Sequence, residues 1–153
     1  YRKARYYFER FIEKSSLAEG FYELGMIYYY GLGVKKNLQI AFKYFQMGVK
    51  KGCAYCMASY GGFYEDEKGF PKKPYLAYKW YKKSMEKGCD IGYFAVMSCY
   101  AFGIGVKQNL KKVRMMGDFA IEKGILEKSI VENIYCDIER KAKLKKKVAK
   151  EKR

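Results

Sequence analysis

Two short spacings in this chain bring together side chains that do chemistry in other settings. Cys53-Ala54-Tyr55-Cys56 is a C-x-x-C, and Ser84-Met85-Glu86-Lys87 is an S-x-x-K. A thiol pair at the first spacing does redox work when it opens a helix after a strand, where the helix N-terminus stabilises the attacking thiolate. No strand is expected ahead of Cys53. Zinc would need a second Cys or His pair at ligand spacing, and none follows. A serine nucleophile of the S-x-x-K kind works with S-D-N and K-T-G tripeptides, and neither occurs. The chain contains no His, which removes the commonest general base, the usual triads and the commonest metal ligand. No catalytic, cofactor-binding or metal-binding residue is assigned, and an enzyme ranks last among the functional classes. Five Cys is an odd number and makes no complete disulfide framework.

Both spacings dissolve into a longer pattern. Gly33-Val34 returns as Gly69-Phe70 and Gly105-Val106, a period of 36 residues. Tyr28 returns as Tyr64 and Tyr100, and Gly25 as Gly61 and then Met97. A fixed period of this size marks a stack of like units. Cys89 is the repeat mate of Cys53, while Cys56 holds a small-residue position shared with Gly20 and Gly92. Cys53 and Cys56 therefore read as buried structural thiols that make no redox or zinc pair. Lys87 has mates in Lys51 and Lys123, so the period accounts for the S-x-x-K as well.

The elements follow from the period. Residues 1–16 read as the second helix of a repeat whose first half is missing. With Tyr rather than Met at position 1, the chain is expected to be a fragment or a processed form. Full units are expected at 17–52, 53–88 and 89–124, each a helix A, a glycine turn and a helix B. Helix A of the first unit is expected over about 18–29. Asn37 and Asn109 are N-cap candidates, Pro74 suits a first helical turn, and Gly52, Gly88 and Gly124 close the B helices. Leu24, Gly25, Tyr28 and their mates are expected in the core, with Gly25 and Gly61 letting the paired helices approach. In the third unit Val113, Met116 and Gly117 stand where Ala and two aromatics stood, a degeneration common near the end of an array. From Ile125 the period stops. Ile130, Ile134, Ile138 and Ala142 form a stripe on a capping helix, expected to fray beyond about Lys143 into a basic tail, so the last segment is 125–153.

A small residue, Leu-Gly, Tyr, Gly-x-Gly-Val, a polar cap, Lys-Ala and an aromatic pair together resemble the Sel-one-like repeat family, relatives of the tetratricopeptide repeats. The resemblance covers about residues 1–124. It implies an all-α fold, a right-handed α/α solenoid of about three helix pairs, and a non-catalytic scaffold or adaptor for other proteins. Secreted, periplasmic and immunity-type bacterial proteins occur in the family, and the chain's own compartment stays open. In such solenoids the A helices line the concave face. There the outward positions are Tyr22, Met26, Tyr29 and Tyr30, then Ala58, Gly62, Glu65 and Asp66, then Phe94, Ser98, Ala101 and Phe102. Exposed aromatics in a concavity suit protein or peptide recognition. The expected partner-binding set is Tyr22, Met26, Tyr29, Tyr30, Glu65, Asp66, Phe94 and Phe102.

The net charge is +16, and residues 139–153 hold nine Lys or Arg against two Glu, a net +7. Such a balance suits an acidic protein, a nucleic acid or an anionic lipid, and plain solubility ranks ahead of all three; the expected partner is another protein or peptide, an acidic one among the options, and the chain is expected to be a monomer. The alternative is a nucleic acid or an anionic membrane bound through the Lys-rich surface and the tail residues Lys141, Lys143, Lys145, Lys146 and Lys147. That alternative ranks second, because the basic residues lie on B helices and in the tail and the aromatics are not expected among them.

Overall fold

In the computed structural model the described residues are Tyr6, Arg10, 18–66 and 69–151, the side chains of Asp66, Lys145, Lys146, Ala149, Lys150 and Glu151 excepted. Among the described residues seven helices follow one another: α1 (Ala18–Tyr30), α2 (Leu38–Lys50), α3 (Ala54–Asp66), α4 (Pro74–Glu86), α5 (Asp90–Phe102), α6 (Leu110–Glu122) and α7 (Lys128–Glu151). No strand occurs among the described residues. The chain is an all-α helical solenoid of the pairs α1–α2, α3–α4 and α5–α6, closed by α7. The expected helix over residues 1–14 and its break at Ser15-Ser16 lie outside the described residues, apart from Tyr6 and Arg10, whose backbone is helical.

Local chemistry sets the boundaries. Asn37 adopts an extended backbone and its Oδ1 accepts the Ile40 N–H at 3.0 Å. Asn109 does the same for Lys112 at 2.9 Å, so each cap satisfies an amide that the helix cannot. Pro74 occupies the first turn of α4. Gly33 sits at φ 71° and Gly52 at φ 84°, a region that a side chain makes costly. The glycine turns are thus written in the sequence as well as seen in the fold.

Packing within the first two pairs uses one device. Phe45 and Tyr81 each press a ring into the notch left by Gly25 and Gly61, where an added Cβ would collide with the ring. Ala41 and Ala77 are fully buried alongside. In the third pair the sizes are exchanged. Met97, fully buried, stands on helix A, and Gly117 stands on helix B, where a Cβ would strike Val131 and the Tyr135 hydroxyl of α7. The substitution expected as degeneration is therefore compensated within the pair, and it admits the closing helix. A volume-conserving exchange of this kind keeps a core filled.

Two further expectations are corrected. Tyr28, Tyr64 and Tyr100 are only half-buried. They pair with Tyr44, Tyr60 and Tyr78, ring centroids 5.7, 5.4 and 5.8 Å apart, because a phenol keeps its hydroxyl near water while its ring packs. Helix α7 does not fray at Lys143 but continues to Glu151. On it Val131 and Ile134 are buried, Ile130 and Ile138 are half-buried, and Ala142 is exposed. No helix among the described residues is long and apolar enough to cross a membrane.

Candidate interaction surface

Helices α1, α3 and α5 lie side by side, and two adjoining depressions run across their shared face. The first, about 280 Å³, is lined by Tyr22, Met26, Tyr29, Tyr30, Phe45, Phe63 and neighbours from α3 and α5. The second, about 470 Å³, is lined by Glu65, Tyr81, Phe94, Ser98, Phe102, Lys141 and others. Ser59 and Ile91 line both. Helical spacing brings Tyr22, Met26 and Tyr29 onto one side of α1. Their rings are not a loose row. Tyr22 meets Phe45 at 6.2 Å and Tyr55 at 5.4 Å, and Tyr29 meets Tyr30 at 5.0 Å and Phe63 at 5.9 Å. Tyr30 at the rim is 60% exposed. Packed rings that keep one edge open offer contact area with little entropy left to lose.

Of the expected set, Tyr22, Met26, Tyr29 and Tyr30 come together in the first depression, and Glu65, Phe94 and Phe102 in the second. The Asp66 side chain lies outside the described residues. Ala58, though only 3% exposed, does line the second depression, whereas Ala101, expected to face outward, is buried at 0% exposure. Glu65 accepts a 2.6 Å hydrogen bond from the Tyr81 hydroxyl. Burial first, and this bond second, push the Tyr81 phenol well above its ordinary range. Burial likewise raises Tyr22. Both phenols stay neutral near pH 7, so the groove presents apolar rings and hydroxyl donors.

Sequence reasoning missed three lining features. Phe45 and Phe63 form the floor, reaching across from core positions. Ile91, 42% exposed, joins the two depressions. Lys141, counted among the basic tail residues, hangs from α7 with its Nζ 3.8 Å from the Phe102 ring centroid. The last was accessible in principle, since Lys141 follows Ile138 by three residues and so shares the inward stripe.

The other sites resolve locally. Ser84 is fully buried, and its hydroxyl donates to the Ala54 carbonyl at 2.7 Å, so it fastens α4 to α3. Cys53 and Cys56 are buried. They flank the start of α3, Cys53 just ahead of Ala54 and Cys56 in its first turn, and no strand precedes them among the described residues. The Cys56 amide donates to the Cys53 sulfur at 3.1 Å, a capping contact. A side-chain hydrogen bond between the thiols lowers Cys53 and raises Cys56. No cluster of three or more metal-ligating side chains occurs among the described residues. The outer face of α4 corrects the remaining expectation, because there basic and aromatic residues do alternate. Lys79 lies 5.0 Å over Tyr75, and Lys83 lies 4.5 Å over Trp80.

Models of the Sel1 repeat match residues 1–16, 18–53, 54–89 and 92–112. The fold is similar to the crystal structure of a Sel1 repeat protein from Oxalobacter formigenes, with a TM-score of 0.70 and 22% identity over 80% of this chain and 49% of that one. It is also similar to c5321, a protective antigen of uropathogenic Escherichia coli displaying an SLR fold, with a TM-score of 0.63 and 20% identity over 90% of this chain and 33% of that one. The chain thus spans about half or less of the length of these solved structures. No curated protein matches the sequence.

Proposed function

The chain belongs to the Sel1 repeat family, whose members generally serve as scaffolds for other proteins, and from that premise we propose that it holds a protein or peptide partner along the face of α1, α3 and α5 without catalysing a reaction. The observation that carries this reading is the apolar depression under Tyr22, Met26, Tyr29 and Tyr30, floored by Phe45 and Phe63. Large rings in a partly closed pocket are the usual anchors of protein interfaces, and truncating one costs about 2 kcal/mol or more of binding.

Electrostatic binding of nucleic acid is supported by the alternation of Lys and aromatic residues on α4. That support is limited by geometry. Tyr75 and Trp80 already carry their own lysines, and Trp80 also packs edge-on against Tyr60 at 5.3 Å. A single strand needs open ring faces on which its bases stack.

The test is a Tyr22→Ala, Tyr29→Ala double variant, compared with the intact chain in capture of a partner from its native host. The double variant is expected to keep its helical circular dichroism and to lose the partner. Normal capture by the double variant, combined with loss of capture at every salt concentration when the chain is cut after Arg140, overturns the groove reading in favour of the electrostatic one.

A further inference from the structure

Helix α7 does more than close the array. Its inward stripe runs Ile134, Ile138, Lys141, Leu144 and Val148, in steps of three and four residues along one side of the helix. Only the first part of that stripe meets the core. Leu144 is 62% exposed and Val148 41% exposed, and Lys141 lines the second depression beside Phe102. Helix α7 thus contributes Lys141 to the groove, and the turns beyond it carry the exposed Leu144 and Val148 on the same side of the helix as Lys141. From Lys141 onward it carries Lys141, Lys143, Lys145, Lys146, Lys147 and Lys150 against Glu151. The other end of the groove is lined by rings with no charged side chain among its lining residues, and the cation beside it, Lys36, is held 5.3 Å from the Tyr29 ring centroid. The two ends therefore ask for different chemistry.

We propose that the occupant is an acidic peptide segment bound in one direction, its apolar side chain in the Tyr22–Phe63 depression and its carboxylates against Lys141 and the projecting turns of α7. The proposal rests on the groove reading above and specifies its ligand. Charge complementarity selects this occupant. A second copy of the chain, at net +16, would set lysines against lysines. Lys141 suits the role because Phe102 already holds its ammonium in place and shields it on one side. A partner carboxylate then gains a charge-assisted hydrogen bond at little ordering cost. Between the ends, Glu65 favours a hydrogen-bond donor rather than an acid, which gives the segment its direction.

The experiment selects a phage-displayed library of random dodecapeptides against the wild type, Lys141→Glu, Lys79→Glu and Tyr30→Ala. Lys79→Glu makes the same change in net charge on the outer face of α4, and Lys141 and Tyr30 are exposed, so these variants keep their fold. The expected result is enrichment, on the wild type and on Lys79→Glu alike, of peptides with Asp or Glu to one side of an apolar or aromatic residue. Those peptides should bind Lys141→Glu roughly tenfold or more weakly, as expected for a lost, partly desolvated charge pair, and should also weaken on Tyr30→Ala. Acidic enrichment that survives Lys141→Glu, or that falls equally with Lys79→Glu, overturns the proposal. Non-acidic peptides sensitive to Tyr30→Ala overturn it and leave the groove reading standing. Peptides indifferent to Tyr30→Ala, or no enrichment at all, overturn both. Sedimentation with phosphatidylserine vesicles that Leu144→Glu abolishes, in a chain enriching no acidic peptide, assigns the projecting turns to a membrane surface instead.

Discussion

The first two helix pairs and the third pair with its closing helix solve the same packing problem by opposite means. In α1–α2 and α3–α4 a ring on the second helix fills a glycine notch on the first, Phe45 against Gly25 and Tyr81 against Gly61. In α5–α6 the large residue, Met97, has moved to the first helix and the glycine, Gly117, to the second. Polar contacts bridge this pair, as they do α3–α4. The Tyr93 hydroxyl donates to the Met116 carbonyl at 2.9 Å, and Lys112 donates to the Tyr100 hydroxyl at 2.8 Å. A cleft of about 560 Å³, lined by Leu110, Val113, Tyr135 and Ile138 among others, opens between α6 and α7. Leu110, Met115, Phe119 and Ile121 of α6 remain exposed. A solenoid can thus exchange large for small across one seam at constant volume, but the helix that loses its ring also loses grip on its neighbours.

The sharpest way to break this comparison is to empty both notches. Phe45→Ala is expected to cost about 3–5 kcal/mol, a ring's transfer energy plus the cavity it leaves. Met97→Ala is expected to cost less, about 2–4 kcal/mol on the same scale, because the looser third pair can collapse into the space. Urea unfolding of the two variants measures both, and an equal or reversed order would show that the third seam is as tightly filled as the first. Amide hydrogen exchange sharpens the same point without mutation. Amides of α6 are expected to exchange faster than those of α2 and α4, since few buried contacts permit local opening.

Smaller effects test whether the contrast reaches the helix ends. Asn37→Ala and Asn109→Ala should each cost about 1 kcal/mol, nearly equal despite the different packing, because each cap serves only its own helix. A large inequality in thermal unfolding would mean that tertiary packing sets the cap's worth. The smallest effect near neutrality appears only in alkali. Burial and the Tyr60 hydrogen bond push Tyr64 up to about 12, and burial raises Tyr78 and Tyr81 further. An unfolded phenol ionises near pH 10, so between there and pH 12 the unfolded chain binds fewer protons than the folded one. Stability is then intact below about pH 10 and falls as the pH rises through these folded values. Tyr81→Phe should flatten that fall, as read from denaturation midpoints across the range.

Much of the architecture was legible residue by residue. Asn37, Asn109, Pro74 and the turn glycines act through the backbone within a few positions, so their roles carry over from sequence to structure without a neighbour's consent. The aromatic cluster on α1 was legible for the same reason, since helical spacing alone brings Tyr22, Met26 and Tyr29 to one side. Ala101 was misplaced because two positions equivalent on an isolated helix differ once another helix runs alongside. The exchange of Met97 with Gly117 looked like decay because its partner lies 20 residues away on another helix.

The sequence by itself determined the repeating helix pairs, their caps and turns, and the absence of His-based chemistry, because these depend on local conformation, periodicity and composition. Only the tertiary structure decided which rings of the candidate groove stay open, that Phe45 and Phe63 form its floor, and that Lys141 of the closing helix reaches Phe102. Those facts depend on how far apart packed helices stand, and that distance is set by the side-chain volumes meeting at each seam.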